Sequence, residues 1–243
     1  WNWKAGTTTG IAGSPSITPT AYSFNQTCGF SVIAYTGNGS AGATVPHGLG
    51  VAPKMIILKR LDTTSDWMVY HHGMDLTAPE DYYMVLNTYA ARVDSTIIWN
   101  DTAPTSTLFS IGTSTNVNGN TNTYIAYCFA PIQGYSKMGT YTGNGNADGT
   151  FVYTGFQPAY VMTKSQGGSA WRPYDNKRIG YNPKNYFLVA DTTSAEGTGD
   201  VDLLSNGFKL RIASEPNNIQ SMFYLAFANN PFVNSSGVPG TAR

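Results

Sequence analysis

The sequence predicts an all-β protein made of two tandem, duplicated β-sandwich units of jelly-roll-like character, and three observations carry that expectation. Composition is the first. The 243 residues include 16 Tyr, 11 Phe and 26 Gly, and only 12% are charged. Aromatic and β-branched side chains suit a pleated surface, while Gly, Asn and Pro supply turns. Patterning is the second. Apolar runs are short and bounded by Gly, Pro, Asn or Thr, and none keeps an apolar stripe at helical spacing through three turns. The third is a repeat: "YTGNG" stands at Tyr35–Gly39 and again at Tyr141–Gly145. Gly and Asn tolerate the positive φ that a tight strand-to-strand turn demands.

Residues 1–27 read "WNWKAGTTTGIAGSPSITPTAYSFNQT". Gly, Thr and Pro without clean alternation predict a linker, or an arm docked by its Trp residues. The first unit, residues 28–132, offers "GFSVIAYTG", "KMIILKR", "DWMVYHH", "YYMVLN", "STIIWN", "TLFSIG" and "TYIAYCFA" as strands. "PEDYYMVLNTYAARV" (Pro79–Val93) comes nearest to a helix, but its Tyr, Val, Asn and Thr favour a strand.

The second unit, residues 135–232, repeats the landmarks of the first in order. Gly50 aligns with Gly155, Pro53 with Pro158 and Lys59 with Lys164. Trp67 to Tyr70 aligns with Trp171 to Tyr174, Phe109 with Phe208, and "AYCFAPI" with "YLAFANNPF". The offset shrinks from 106 to 98 while the order holds, as expected of a duplicated unit of roughly 100 residues. One larger sandwich completed by both repeats is the alternative architecture. Residues 233–243 read as a flexible tail. In this scheme "TSTNVNGNTN" (Thr113–Asn122) is an insertion of the first copy.

Charge and motifs narrow the chemistry. With 14 basic against 14 acidic residues, the chain offers no field to gather nucleic acid or an anionic membrane surface. No run approaches the roughly 18 apolar residues of a membrane span. Cys28 and Cys128 make no Cys-x-x-Cys pair and there are only three His, so no zinc framework is available. Cys128 reads as a small buried thiol, and a disulfide to Cys28 stays open. The opening "WNWKAG" lacks an initiator Met, so the chain reads as a processed or partial product that follows another module. No Gly-x-Ser-x-Gly elbow accompanies His47, His71 and His72, and no Lys-bearing phosphate loop is present. The three Glu lie in connecting stretches, poorly placed for paired-carboxylate chemistry. Asn144, Asn146 and Asp148 alternate like calcium ligands, yet no distal Glu follows, and turn chemistry is preferred. The expectation is no enzyme, no catalytic residue, no cofactor and no metal.

What remains is contact surface. Asp66 and Asp175 stand beside Trp67 and Trp171, an arrangement that can hold a sugar, although a polar neighbour of a core Trp is the simpler reading. Trp99 has no aromatic counterpart in the second copy, which favours an exposed position for it over Trp67 and Trp171. Trp1, Trp3, Trp99 and Thr113–Asn122 are therefore expected at or near contacts with other chains or with a further part of the protein.

The string from "WKAG" through "YTGNG", "APKMIILK" and "YIAYCFAPIQGYSKMG" to "LSNGFK" and "AFANNPF" resembles a phage domain family of unassigned function. That family recurs at the C-terminal end of large proteins from bacteriophages of aquatic bacteria, often after a concanavalin- or laminin-G-like sandwich. The resemblance runs from Trp1 to Phe232, with Tyr124–Gly139 its most specific part. It implies a virion-surface, extracellular role in a tail fibre, adhesin or head decoration, with other virion proteins and host glycan as partners. It also implies a homo-oligomer, with a trimer favoured. A glycan-cleaving tail protein and a bacterial extracellular adhesin or filament subunit are the alternatives.

Overall fold

A computed structural model describes residues 6–178, 182 and 184–230. The chain divides into two units. One holds the described residues up to Leu86 together with Arg92–Pro131; the other holds Asn87–Ala91 and the described residues from Ile132 onward.

In the first unit the strands are β1 (Ala21–Asn25), β2 (Phe30–Thr36), β3 (Ala43–Pro46), β4 (Met55–Arg60), β5 (Trp67–His71), β6 (Tyr82–Val85), β7 (Val93–Asp94), β8 (Leu108–Ile111) and β9 (Thr123–Phe129). Seven form one sheet in the order β1-β2-β9-β4-β5-β6-β7, and β3 pairs with β8 in a second layer. Strand β9 closes the unit by inserting between β2 and β4, so Ile33 and Ala126 share a register position. Side chains alternate as a half-buried sheet requires. Ile33, Tyr35, Tyr124, Ala126 and Cys128 turn inward against Val45, Phe109 and Ile111 of the small sheet. Each large apolar side chain so buried contributes about 1.5–3 kcal/mol.

The described part of the N-terminal segment is no free linker. Strand β1 adds to the edge of β2 from Ala21↔Ala34 to Asn25↔Phe30. Upstream, Ile17 donates its N–H to Thr44 O at 3.1 Å, and its side chain is buried in the core. The run "STIIWN", expected as a strand, is a single helical turn, α1 (Thr96–Trp99), that buries Ile98 and Trp99. Asn100 and Asp101 both adopt positive φ behind it, at 56° and 43°. A strand cannot continue through two left-handed residues. The stretch from Pro79 is strand-like as expected: a 3₁₀ turn, Pro79–Asp81, leads into β6.

The second unit comprises β10 (Ser136–Thr142), β11 (Phe151–Tyr153), β12 (Pro158–Ser165), β13 (Arg172–Asp175), β14 (Lys184–Phe187), β15 (Gly197–Leu204), β16 (Gly207–Leu210) and β17 (Ser221–Ala228). Two four-stranded sheets, β10-β17-β12-β13 and β11-β16-β15-β14, face each other across a core that includes Tyr141, Val161, Tyr174, Phe208, Leu210 and Tyr224. Here too the last strand, β17, inserts between the first and third. The fold class is all-β, of the sandwich type. Among the described residues no helix is long and apolar enough to cross a membrane.

Candidate functional site

The pentapeptides wrap one buried asparagine in each unit. Asn118 is fully buried. Its Nδ2 donates to Ser40 O at 2.8 Å and Gly112 O at 3.0 Å, while Asn38 N donates to its Oδ1 at 2.9 Å. In the second unit Asn217, also fully buried, donates to Asn146 O at 2.8 Å and Ile212 O at 2.7 Å and accepts from Asn144 N at 3.2 Å. Gly39 N and Gly145 N donate to the carbonyls of these two asparagines. The tyrosine of each pentapeptide donates one residue upstream, Tyr35 to Val117 O and Tyr141 to Pro216 O. Gly37 and Gly143 admit no side chain, because a Cβ would collide with Gly119 O or Asn218 O. Thr113–Asn122 is thus the loop that delivers Asn118.

A lysine and a tryptophan meet in each unit as the sequence alignment pairs them. Lys59 Nζ lies 5.9 Å from the centre of the Trp67 ring and donates to Ser65 O at 2.6 Å. Lys164 Nζ lies 5.7 Å from the centre of the Trp171 ring and donates to Ser169 O and, at 3.1 Å, to Thr88 O. Lys164 is fully buried. Burial lowers its pKa to about 8, against the opposing fields of Asp191 and Glu215.

The expected contact residues scatter. Trp99 is 2% exposed and sits edge-on to Tyr70 at 6.0 Å, so it is core: the helical turn that carries it rolls the indole inward. Trp171 is buried, but Trp67 is only half-buried and stacks on Tyr127 at 6.5 Å. Asp175 caps its own turn, accepting from Lys177 N at 2.9 Å and Arg178 Nε at 2.6 Å. Burial pushes its pKa up, yet the Arg178 bond and the backbone N–H groups hold it below the usual carboxylate value. Asp66 is half-buried beside Trp67. Asp66 and Trp99 belong to the first unit and Asp175 to the second, and Trp1 and Trp3 lie outside the described residues.

His47 is fully buried. Its Nδ1 accepts from Leu49 N at 3.2 Å and its Nε2 faces Thr105 O at 3.2 Å, a pattern that only the neutral ring with the proton on Nε2 satisfies. Burial lowers its pKa to about 4, partly offset by the Thr105 bond. Cys28 and Cys128 are both free thiols, and burial pushes Cys128 up to about 12 despite a Ser31 bond. Asn144 and Asn146 use their side chains on the turn itself. Among the described residues no three His, Cys, Asp or Glu gather as metal ligands would.

A surface with two exposed aromatic rings lies on β11. Val152 is buried, and its neighbours Phe151 and Tyr153 point outward at 44% and 59% exposure. Gly207 stands opposite Tyr153 in the register. A Cβ there would lie 3.0 Å from the Phe151 ring, so this ring lies across the sheet at the glycine. Two rings on a rigid strand can stack on a sugar face or an aromatic partner. The alternation in "TFVYT" was the available signal. It is masked in the sequence because an aromatic residue in a strand reads equally well as core.

Residues 1–231 match a family described as a domain of unknown function, DUF7483. No curated protein and no solved structure matches the chain. Spanning nearly the whole sequence, that match makes the chain a member of the DUF7483 family.

Proposed function

We propose that this chain is a non-enzymatic structural and adhesion protein at the surface of a bacteriophage particle. It serves in a tail fibre, receptor-binding part or head decoration, as a homo-oligomer (a trimer in the favoured form) beside other virion proteins. The observation that carries the adhesive part is the exposed Phe151 and Tyr153 pair on a strand whose intervening residue is buried. The phage part rests on the sequence resemblance. Polar groups of catalytic type are engaged in the scaffold: His47 bridges two backbone positions, Asp175 caps a turn, and Lys164 ties carbonyls. Duplication of one ancestral unit belongs to the same proposal. The paired asparagine cages and lysine–tryptophan contacts support it, since their partners lie at aligned positions.

Gold-labelled antibody against the chain should decorate intact particles at one type of appendage, and the purified chain should compete with particle adsorption to host cells. Tyr153→Ala should weaken that competition. Turnover of host polysaccharide, read as new reducing ends and abolished by one Asp or Glu substitution, would overturn the non-enzymatic reading.

A further inference from the structure

Charge is unevenly distributed around the two exposed rings. Lys209 stands opposite Phe151 in the register and pairs with Asp148 at 2.7 Å. Arg211 pairs with Asp202 at 2.6 Å and reaches Asp148 at 3.8 Å. Lys137 arrives from β10. Its Nζ lies 5.4 Å from the centre of the Tyr153 ring and donates to Tyr153 O at 2.9 Å, and among the described residues it has no carboxylate partner. Three cations (Lys137, Lys209, Arg211) thus meet two carboxylates (Asp148, Asp202) among the described side chains, one positive charge in excess. The Asp202 side chain is 11% exposed, against 80% for Asp148, so its charge is largely withdrawn from solvent.

We infer that this surface binds an acidic glycan, a chain of pyranose rings bearing carboxylates. The apolar face of a pyranose can lie on the open face of Phe151, whose ring is already seated over Gly207. A sugar carboxylate nearby meets Lys137, the cation without an acidic partner, in a charge-assisted hydrogen bond. Asp148 and Lys209 offer the sugar hydroxyls an acceptor and a donor held in place by their mutual pairing. A neutral glycan has the stacking face and leaves Lys137 unanswered. A polynucleotide has bases to stack, but its dense phosphates need several neutralising cations, and this surface has one in excess. The inference rests on the adhesive reading and names the ligand class of that surface.

Calorimetric titration of the intact chain with oligogalacturonate, dextran and a single-stranded oligothymidylate tests it. Oligogalacturonate is expected to bind about tenfold more tightly than dextran, a difference of the size one added ionic contact supplies. Phe151→Ala and Tyr153→Ala, both at exposed positions, should each cost about tenfold for either glycan, while Lys137→Gln should erase only the preference for the acid. Oligogalacturonate binding insensitive to both ring substitutions would be mere charge attraction and would overturn the inference. So would tighter binding of the oligonucleotide, or no binding of either glycan. Equal binding of the two glycans, lost on ring substitution, overturns the acidic preference alone and leaves the adhesive role standing.

Discussion

Asn118 and Asn217 each satisfy a turn from the inside, with amide protons on two carbonyls and an oxygen on a backbone N–H. An aspartate of the same shape can accept but cannot donate, and it would place a buried charge against carbonyl oxygens. Asn217→Asp should therefore destabilise the second unit by on the order of 3 kcal/mol, and Asn118→Asp the first by a similar amount. Chemical denaturation followed by tyrosine and tryptophan fluorescence reads both; a loss below 1 kcal/mol would contradict the cage. The pentapeptide was legible as a turn, but its contents were not. The asparagine it encloses lies 80 residues downstream in one unit and 73 in the other, and nothing local marks it among its polar neighbours. His47 gives a second residue-scale test. Its pKa is about 4 in the fold against an ordinary 6.5, so between those values the unfolded chain binds the proton that the folded chain refuses. Stability is fully present above pH 6.5 and is lost as pH falls toward 4, by about 1.4 kcal/mol per unit. His47→Gln, whose amide keeps a donor and an acceptor, should flatten that slope in acid unfolding. An unchanged slope would exclude His47 as its source.

At the level of elements, most strands were legible because each is short, β-branched or aromatic, and closed by Gly, Pro or Asn; β2, β4, β5 and β9 fall within the expected runs. Helix α1 was not. Four residues carry too little periodicity to distinguish a turn of helix from a strand, and the left-handed pair Asn100–Asp101 that ends it is visible only in the backbone. Trp99 followed its element inward. The aligned tryptophans also part company, because a match in sequence position fixes the strand but not what covers it. Trp171 is 1% exposed beneath a buried lysine, whereas Trp67 stays half-open beside Tyr127. Trp171→Ala should cost about 3–5 kcal/mol as a cavity-forming change, and Trp67→Ala about 1–2 kcal/mol as a partial loss of burial. Equal costs from denaturant melts would mean that the two sites are packed alike.

At the scale of the whole molecule the two units were legible as two, from the kept order of landmarks, but the sequence boundary between them is not where the contacts divide. Residues Asn87–Ala91 come from the first half and belong to the second unit. There Thr88 O accepts from the buried Lys164 ammonium, and the Gly168 position lies so close to Tyr89 O and Ala91 N that a Cβ would stand 3.0–3.1 Å from them. A polypeptide starting at Ile132 lacks that segment, leaving the Lys164 ammonium with one of its two carbonyl partners. A cation buried with fewer partners weighs on the fold, and replacing it with an apolar chain of similar length removes the burden. Fragment 132–243 should therefore melt below the second unit of the intact chain at pH 7, and Lys164→Met should recover on the order of 1–3 kcal/mol in the fragment. The pH dependence follows from the lysine, whose pKa burial lowers to about 8 in the intact chain against its ordinary 10.5 and lowers in the fragment as well. Folding sheds a proton between those values, so stability rises with pH from 8 upward and the advantage of methionine shrinks over the same range. Measurement should stop near pH 10, where the unfolded chain's tyrosines begin to ionise and the buried Tyr141, Tyr160 and Tyr224, all held at raised pKa by burial, oppose the trend. The fragment contains neither cysteine, so thiol ionisation does not intrude. If the wild-type and Lys164→Met fragments melt alike at pH 7 and pH 9.5, the borrowed segment is not what steadies the buried lysine.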